Sequence, residues 1–409
     1  MVNTYQYSQP LETKENKIFD WYFFFAIGVY LLDLLISSFR PGIVISAILV
    51  YGFLAEIFRG RFRALSKLDF LVLIYAFYCI IFIVWLPSAE YRQFYFETIS
   101  SSILPIILMY ICKYVNRDKV YNIALFSIIL CTLIGLVLFV WAPQFYCDYL
   151  YEMGFAARAT VTHARQGFSS FLGRTAMGSY SVFGMAICYE KYIKEAKIKW
   201  TAALYYMFFI CIITAQRSAW VGAFLILLFF YVKLFRDDRQ VSHHIGHFLI
   251  LLLGIVAVVY IVKNTAFTQT QVLDKLTRFN EAFTERSGTW TTALENNSIL
   301  QTIFGRGFGT MGHRAMAISG STVRDGNYIE IFGEVGILGG IIFVLSAVII
   351  FVKSIFYHRD TGNVIEVLMI AILLFQAFGS NTFETQVIAP IFWVSAGMCE
   401  GSIDSYLEY

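Results

Sequence analysis

Apolar residues run along this chain in continuous blocks rather than in alternation. The blocks predict helices over 18–39, 42–58, 69–87, 97–114, 123–142, 174–190, 200–215, 218–235, 248–263, 327–352, 364–380 and 387–400, about twelve in all. Several reach the roughly 17–25 residues that cross a hydrocarbon core. Inside that core each backbone group must be satisfied within its own segment, which a helix does. A membrane barrel would show alternating strands instead. The expected fold class is an all-α polytopic membrane protein, a single membrane domain over 1–409.

Composition agrees. The chain is 58% hydrophobic and 14% charged, whereas soluble domains carry about 25% charged residues. A net charge of +3 is too small to imply a nucleic-acid partner. The polar start "MVNTYQYSQPLETKENKIFDW" lacks the basic region, short apolar core and cleavage site of a signal peptide, so the first helix reads as a retained anchor. The seven cysteines show no CxxC and no metal-like spacing, and six lie within or beside apolar blocks; only Cys147 falls in a loop. No disulfide, metal or cofactor is expected from them.

Charge sets the orientation. The short basic loops "RGRFR" (59–63), "KYVNRDK" (113–119), 191–199 and "KLFRDDR" (233–239) follow even-numbered spans. Such loops lie in the cytoplasm, which places both termini inside and the long loops 143–173 and 264–326 outside. The outer side then carries Arg40, Arg92, Arg158, Arg165, Arg174, Arg217, Arg278, Arg286, Arg306, Arg314 and Arg324 against only Lys263 and Lys275. Arginine presents a rigid fork that matches phosphate or carboxylate. About half of these arginines, Arg40 and Arg92 foremost, read equally well as side chains reaching the lipid headgroups.

The outer loops have their own pattern. "TQVLDKLTRFNEAFTE" (270–285) and "TWTTALENNSILQTIF" (289–304) predict two amphipathic helices on the membrane surface, with Arg286 in the turn between them. "GFGTMG" (307–312) fits GxGxxG but lacks the βαβ context of a dinucleotide site, so it reads as backbone that bends tightly or approaches a neighbour closely. "ITAQRSAW" (213–220) joins two spans with almost no loop and puts Arg217 near membrane depth, where a charge marks a functional site or a buried ion pair. In "ARQGFSSFLGRTAMG" (164–178), Arg165 and Arg174 flank Ser169, Ser170 and Thr175, which are capping candidates or loop filler. Asp33 sits within the first span without an evident partner, and Glu56 reads as an interface residue. Glu330 and Glu334 are one turn apart and share a face; one of them would neutralise Arg217 or Arg286, or the two form a structural pair.

Arginines, His313 and Asp325 thus gather outside the membrane, where sugar nucleotides are absent. The phosphate available at that face is a lipid phosphate or pyrophosphate. A carboxylate there can take a proton from an acceptor hydroxyl while arginines hold a departing pyrophosphate.

"RSGTWTTALENNSILQTIFGRGFGT" (286–310) followed by "DGNYIEIFGEVGILGGIIF" (325–343) resembles the signature of the O-antigen polymerase and ligase superfamily. "TAQRSAW" is similar to that family's Arg-containing turn, and "RQGFSSFLGRTAMG" to its first outer-loop pattern; the likeness covers roughly 158–345. The resemblance implies a GT-C-like, metal-independent, inverting glycosyltransferase of the bacterial inner membrane. Its donor would be an undecaprenyl-pyrophosphate-linked oligosaccharide, and its active site would face the periplasm. Asp325 stands where ligases usually carry His, which tilts the reading towards the Wzy-type polymerases. It makes Asp325 the base, with His313 as runner-up, and Arg165, Arg217, Arg286, Arg174, Arg314 and Arg324 the pyrophosphate-binding set. A ligase or protein oligosaccharyltransferase of the same superfamily, and a flippase for lipid-linked sugars, stay open. So does a chain-length regulator as partner.

Overall fold

A computed structural model describes residues 66–81, 89–114, 116–152, 168–170, 173–236, 249–256, 297–312, 325–385 and 388–407, with isolated positions between them. The first expected span, Asp33, Glu56, the second expected span apart from Tyr51 and Leu54, and the expected surface helix 270–285 apart from Thr284 lie outside the described residues.

Every regular element among the described residues is a helix. In chain order they are α1 (Lys67–Ile81), α2 (Ala89–Thr98), α3 (Ile106–Ile111), α4 (Arg117–Trp141), α5 (Pro143–Glu152), α6 (Arg174–Glu195) and α7 (Ile198–Ile213). Then come α8 (Arg217–Arg236), α9 (Ile299–Phe304), α10 (Asn327–Thr361), α11 (Ile365–Gln376) and α12 (Ala389–Leu407). A π-helical turn, Ile99–Ile103, joins α2 to α3, so the stretch Phe94–Ile111 forms one apolar rod. That rod, α4, α8 and α10 are each long and apolar enough to cross a membrane. The chain is an all-α membrane protein.

Helix α10 shows why the bundle sits in lipid. Phe343, Ala347, Ile350, Ser354 and Tyr357 recur at helical spacing and are buried against α1, α11 and α12. The opposite face carries Leu345, Val348, Val352 and Ile355, all exposed. Both faces are apolar, so the outward one needs hydrocarbon rather than water. Small residues such as Ser346 and Ala347 on the inward face let the helix backbones approach.

Two buried ion-pair networks tie one end of the bundle together. Arg117, first residue of α4, forks onto Glu190 of α6 (2.7 and 2.8 Å) and Glu366 of α11 (2.5 and 2.7 Å). Lys113 binds Asp69 at the start of α1 (2.6 Å) and Glu400 of α12 (2.5 Å), and Lys353 of α10 completes that group on Glu400. At the opposite end lie the starts of α6, α8 and α10 and the ends of α1, α7 and α11. Here the Tyr95 hydroxyl donates to the Ile80 carbonyl (2.7 Å), Phe168 N–H to Ile213 (2.8 Å), Ser179 to Gln376 (2.8 Å) and Asn327 N–H to Ala377 (2.9 Å).

The run at 327–352 reads as one span but is broken. Gly336, at φ 66° and ψ −173°, interrupts α10. The break leaves three carbonyls without helical partners, and other elements fill them. Arg306 N–H donates to Gly333 (3.0 Å), Gly307 N–H to Glu334 (3.0 Å), and the Tyr78 hydroxyl to Val335 (3.0 Å). A Cβ on Gly336 would strike the backbone of Ile303 and Gly305. Gly336→Ala is therefore expected to lower the melting temperature in detergent, since that region of φ/ψ is open essentially to glycine and strain there is worth roughly 1–3 kcal/mol. A variant melting with the wild type would mean that the break is dispensable.

Candidate functional site

The glycine-rich connection docks on this break and builds the site. Gly305, Gly307 and Gly309 all have positive φ (91°, 114° and 85°), which lets the chain fold back tightly after α9. The reading of "GFGTMG" as tight, closely approached backbone holds. Helix α9 itself starts at a capping box, Ser298 with Gln301, and exposes Ile299, Leu300 and Phe304. The single helix expected over 289–304 is thus interrupted at Asn297 and Ser298. Trp290 and Leu294 instead pack on Met311 and Val323. The Arg306 side chain is fixed by a hydrogen bond to Asn297.

Asp325 stands half-buried at the entrance to α10, its carbonyl accepting the Trp290 indole N–H (2.8 Å). The N-cap of α10 is Gly326, packed against the Trp290 ring, and no side chain caps the helix. The next residue, Asn327, is buried and multiply bonded. Its amide donates to Glu330 (3.1 Å), and its side-chain oxygen accepts Phe383 N–H (2.5 Å) from the turn between α11 and α12. Asn381 in the same turn accepts Gly326 N–H (3.4 Å) and donates to Glu384 (3.0 Å).

Behind this entrance lie three buried carboxyl groups, Glu330, Glu334 and Glu384. One oxygen of Glu334 accepts the N–H groups of Met311 (3.0 Å) and Gly312 (3.2 Å). A Cβ on Gly312 would overlap oxygens of both Glu330 and Glu384, so only glycine lets the loop lie on this pair. The expectation that Glu330 or Glu334 neutralises Arg217 is corrected. Among the described residues no basic side chain bonds either, and their neighbours are each other, Glu384, Asn327 and the glycine loop.

Arg174 and Arg217 are each the first residue of their helix, α6 and α8, and both are half-buried. Gly178, one turn into α6, packs against Gln216 and Ala219, so the two arginine-bearing helix starts adjoin. Between α7 and α8 the chain turns within Thr214–Gln216, with Ala215 at φ 55°. Ser179 of α6 reaches Gln376, and Ala377 beside it accepts Asn327 N–H, which brings these arginines and Asp325 to the same end of the bundle. Arg165, Arg286, Arg314, Arg324 and His313 lie outside the described residues. Arg92 is exposed on α2.

The capping candidates are reassigned. Ser169 bonds the Tyr146 hydroxyl (2.7 Å), Ser170 donates to the Cys131 carbonyl (2.8 Å), and Thr175 lies within the first turn of α6, whose N-cap is Gly173. Cys147 belongs to helix α5, and all seven cysteines are buried thiols outside any disulfide.

Glu384, Asn381 and Thr98 belong to the site but carry no local sign of it. Glu384 meets Glu330 across 54 residues of sequence, a pairing no periodicity encodes. The run "TISSSILP" (98–105) holds a weak cue, three serines and a proline within an apolar rod, where a helix departs from regular geometry.

The fold and site define a helical membrane protein with an arginine- and carboxylate-lined polar end. No protein-family model matches the chain, and no curated protein matches it.

Proposed function

We propose that this protein polymerises oligosaccharide repeats carried on undecaprenyl pyrophosphate, at the outer face of a bacterial inner membrane. The observation that carries the reading is the pairing of two arginine-headed helix starts, Arg174 on α6 and Arg217 on α8, at the end of the bundle that holds Asp325. A helix N-terminus offers unpaired N–H groups and a positive dipole end, and an arginine adds a full charge, so two side by side suit a pyrophosphate. The resemblance of 286–310 and 325–343 to the O-antigen polymerase and ligase superfamily supports the same reading.

In this account the bundle has twelve spans and a GT-C-like arrangement, with both termini inside. The ion-paired end faces the cytoplasm, where the basic loops lie, and the glycine-rich end faces out. The acceptor hydroxyl attacks the anomeric carbon of the donor sugar from the face opposite the pyrophosphate. The C–O bond to pyrophosphate breaks with both electrons, and inversion results. The Asp325 carboxylate takes the hydroxyl proton, while Arg165, Arg217 and Arg286, together with Arg174, Arg314 and Arg324, hold the charge on the leaving group. Pyrophosphate leaves readily, so charge stabilisation matters more than acid catalysis.

Replacing Arg165, Arg217 or Arg286 singly by Ala is expected to remove about 2–4 kcal/mol of transition-state stabilisation. That corresponds to a drop in chain-growth rate of about 30- to 1,000-fold. Lysine should rescue poorly, because a point charge does not reproduce the fork. Rates are read from glycan chain length against protein level. Normal growth in all three Ala variants would overturn the phosphate assignment.

A further inference from the structure

We infer that Glu330 and Glu384 hold one proton between them, as a buried acid–carboxylate pair beside a cavity that admits a single water. This goes beyond the proposed reaction and stands on the geometry of the polar end alone.

The two carboxyls are neighbours, and each turns its Oε1 towards Gly312, where both would meet a single added Cβ. The other oxygen of each is already satisfied, by Asn327 for Glu330 (3.1 Å) and by Asn381 for Glu384 (3.0 Å). The facing oxygens, Oε1 of both residues, receive no donor among the described residues. Two ionised oxygens held face to face repel. One hydrogen between them turns the contact into a strong bond.

Charge bookkeeping points the same way. At the other end of the bundle each buried network is balanced: Arg117 and Lys194 stand against Glu190 and Glu366, and Lys113 and Lys353 against Asp69 and Glu400. Here three carboxyls meet, and no described lysine, arginine or histidine joins them. Among the described residues their titratable neighbours include Tyr75 and Cys79 of α1, which bring no positive charge. An isolated buried carboxylate is costly enough that it takes up a proton instead. Glu334 differs from the pair in that one of its oxygens accepts two backbone N–H groups, those of Met311 and Gly312.

An independent observation marks the ligand side. Thr98 Oγ1 and Trp393 Nε1 have no hydrogen-bond partner among the described residues although both residues are only 2% exposed. Both line one cavity of about 20 Å³ together with the three glutamates. An indole N–H can only donate, so it calls for an acceptor, and a cavity of this size takes about one water. The π-helical turn at Ile99–Ile103 places Thr98 and Ser102 on that cavity. Asn381 ties the pair to the Asp325 loop through Gly326, so the proton site sits directly behind the proposed base.

The test is the infrared spectrum of the purified protein in detergent at neutral pH, without any glycan lipid. The wild type should show the carbonyl stretch of a protonated carboxyl. Glu330→Gln and Glu384→Gln should each abolish it, because the amide donates where the acid hydrogen stood and leaves its partner ionised. Both variants should melt with the wild type at neutral pH. Raising the pH should destabilise the wild type more than either variant, since a folded state that binds the extra proton loses stability as the pH rises. If one variant fails to fold, the other carries the assignment. Absence of the band in the wild type, or its persistence in the variants, overturns the proton-sharing pair. Neither result bears on glycan polymerisation, which is read separately.

Discussion

Asp325→Asn is expected to slow glycan chain growth by about 10²–10⁴-fold, the usual worth of one positioned general base, while leaving the protein folded and abundant. Asparagine matches aspartate in shape but cannot take a proton. Structural damage should be small for two reasons. Gly326, not Asp325, is the N-cap of α10, and no side chain caps that helix. One contact that holds residue 325 in place, Trp290 N–H to its carbonyl at 2.8 Å, uses backbone and survives the change. A capping role for Asp325 would in any case tolerate asparagine, which caps equally well. Chain-length distribution on gels, normalised to protein level, is the readout. Near-normal chains would remove Asp325 from the chemistry and pass the base to His313.

Arg117→Met should have the largest effect on stability, a loss of about 3–5 kcal/mol, because breaking a buried charge group leaves its partners uncompensated. Arg117 is one guanidinium shared by two carboxylates from helices far apart in sequence. Glu366 is fully buried and also accepts the Tyr121 hydroxyl (2.8 Å). Glu190 accepts the N–H groups of Val364 and Ile365 (2.8 and 3.1 Å), the start of α11. Loss of the arginine therefore releases α4, α6 and α11 together. Lysine at 117 cannot bond both carboxylates in this geometry and should restore only part. Adding Glu190→Gln and Glu366→Gln to Arg117→Met should recover stability, since the penalty lies in the orphaned charges. Thermal unfolding in detergent gives the readout, and a single variant within about 1 kcal/mol of the wild type would mean that the network is not structural. Because the network lies at the end opposite Asp325, any activity loss should track folded protein.

The elements that could be read from sequence are those encoded locally. Residues 117–141, 217–236 and 365–376 appear as helices close to where continuous apolar runs end at charged or polar residues. The abrupt turn at 214–216 follows from two apolar runs separated by a few small and polar residues. The break at Gly336 was hidden because glycines are common in membrane helices and "GEVGILGG" keeps its apolar character throughout. Only the partners of its freed carbonyls, Arg306, Gly307 and Tyr78, give it a purpose. Arg117 reads from sequence as one basic residue of a short loop, since its partner Glu366 lies 249 positions away. Glu330 and Glu334 stood out as charges in an apolar run, but their third member, Glu384, arrives from a turn with no periodic signal. Asp325, Arg174 and Arg217 were legible for a simpler reason. Each stands where a polar segment enters a helix, and charges at such boundaries are seldom without purpose.

The most direct test of polymerase function uses purified protein reconstituted in vesicles with undecaprenyl-pyrophosphate-linked repeats and no other acceptor. The expected product is a ladder of longer glycans still attached to lipid pyrophosphate, with one undecaprenyl pyrophosphate released for each bond made. Repeats that stay single, that transfer only once a lipid or protein acceptor is added, or that cross the vesicle without joining would contradict it.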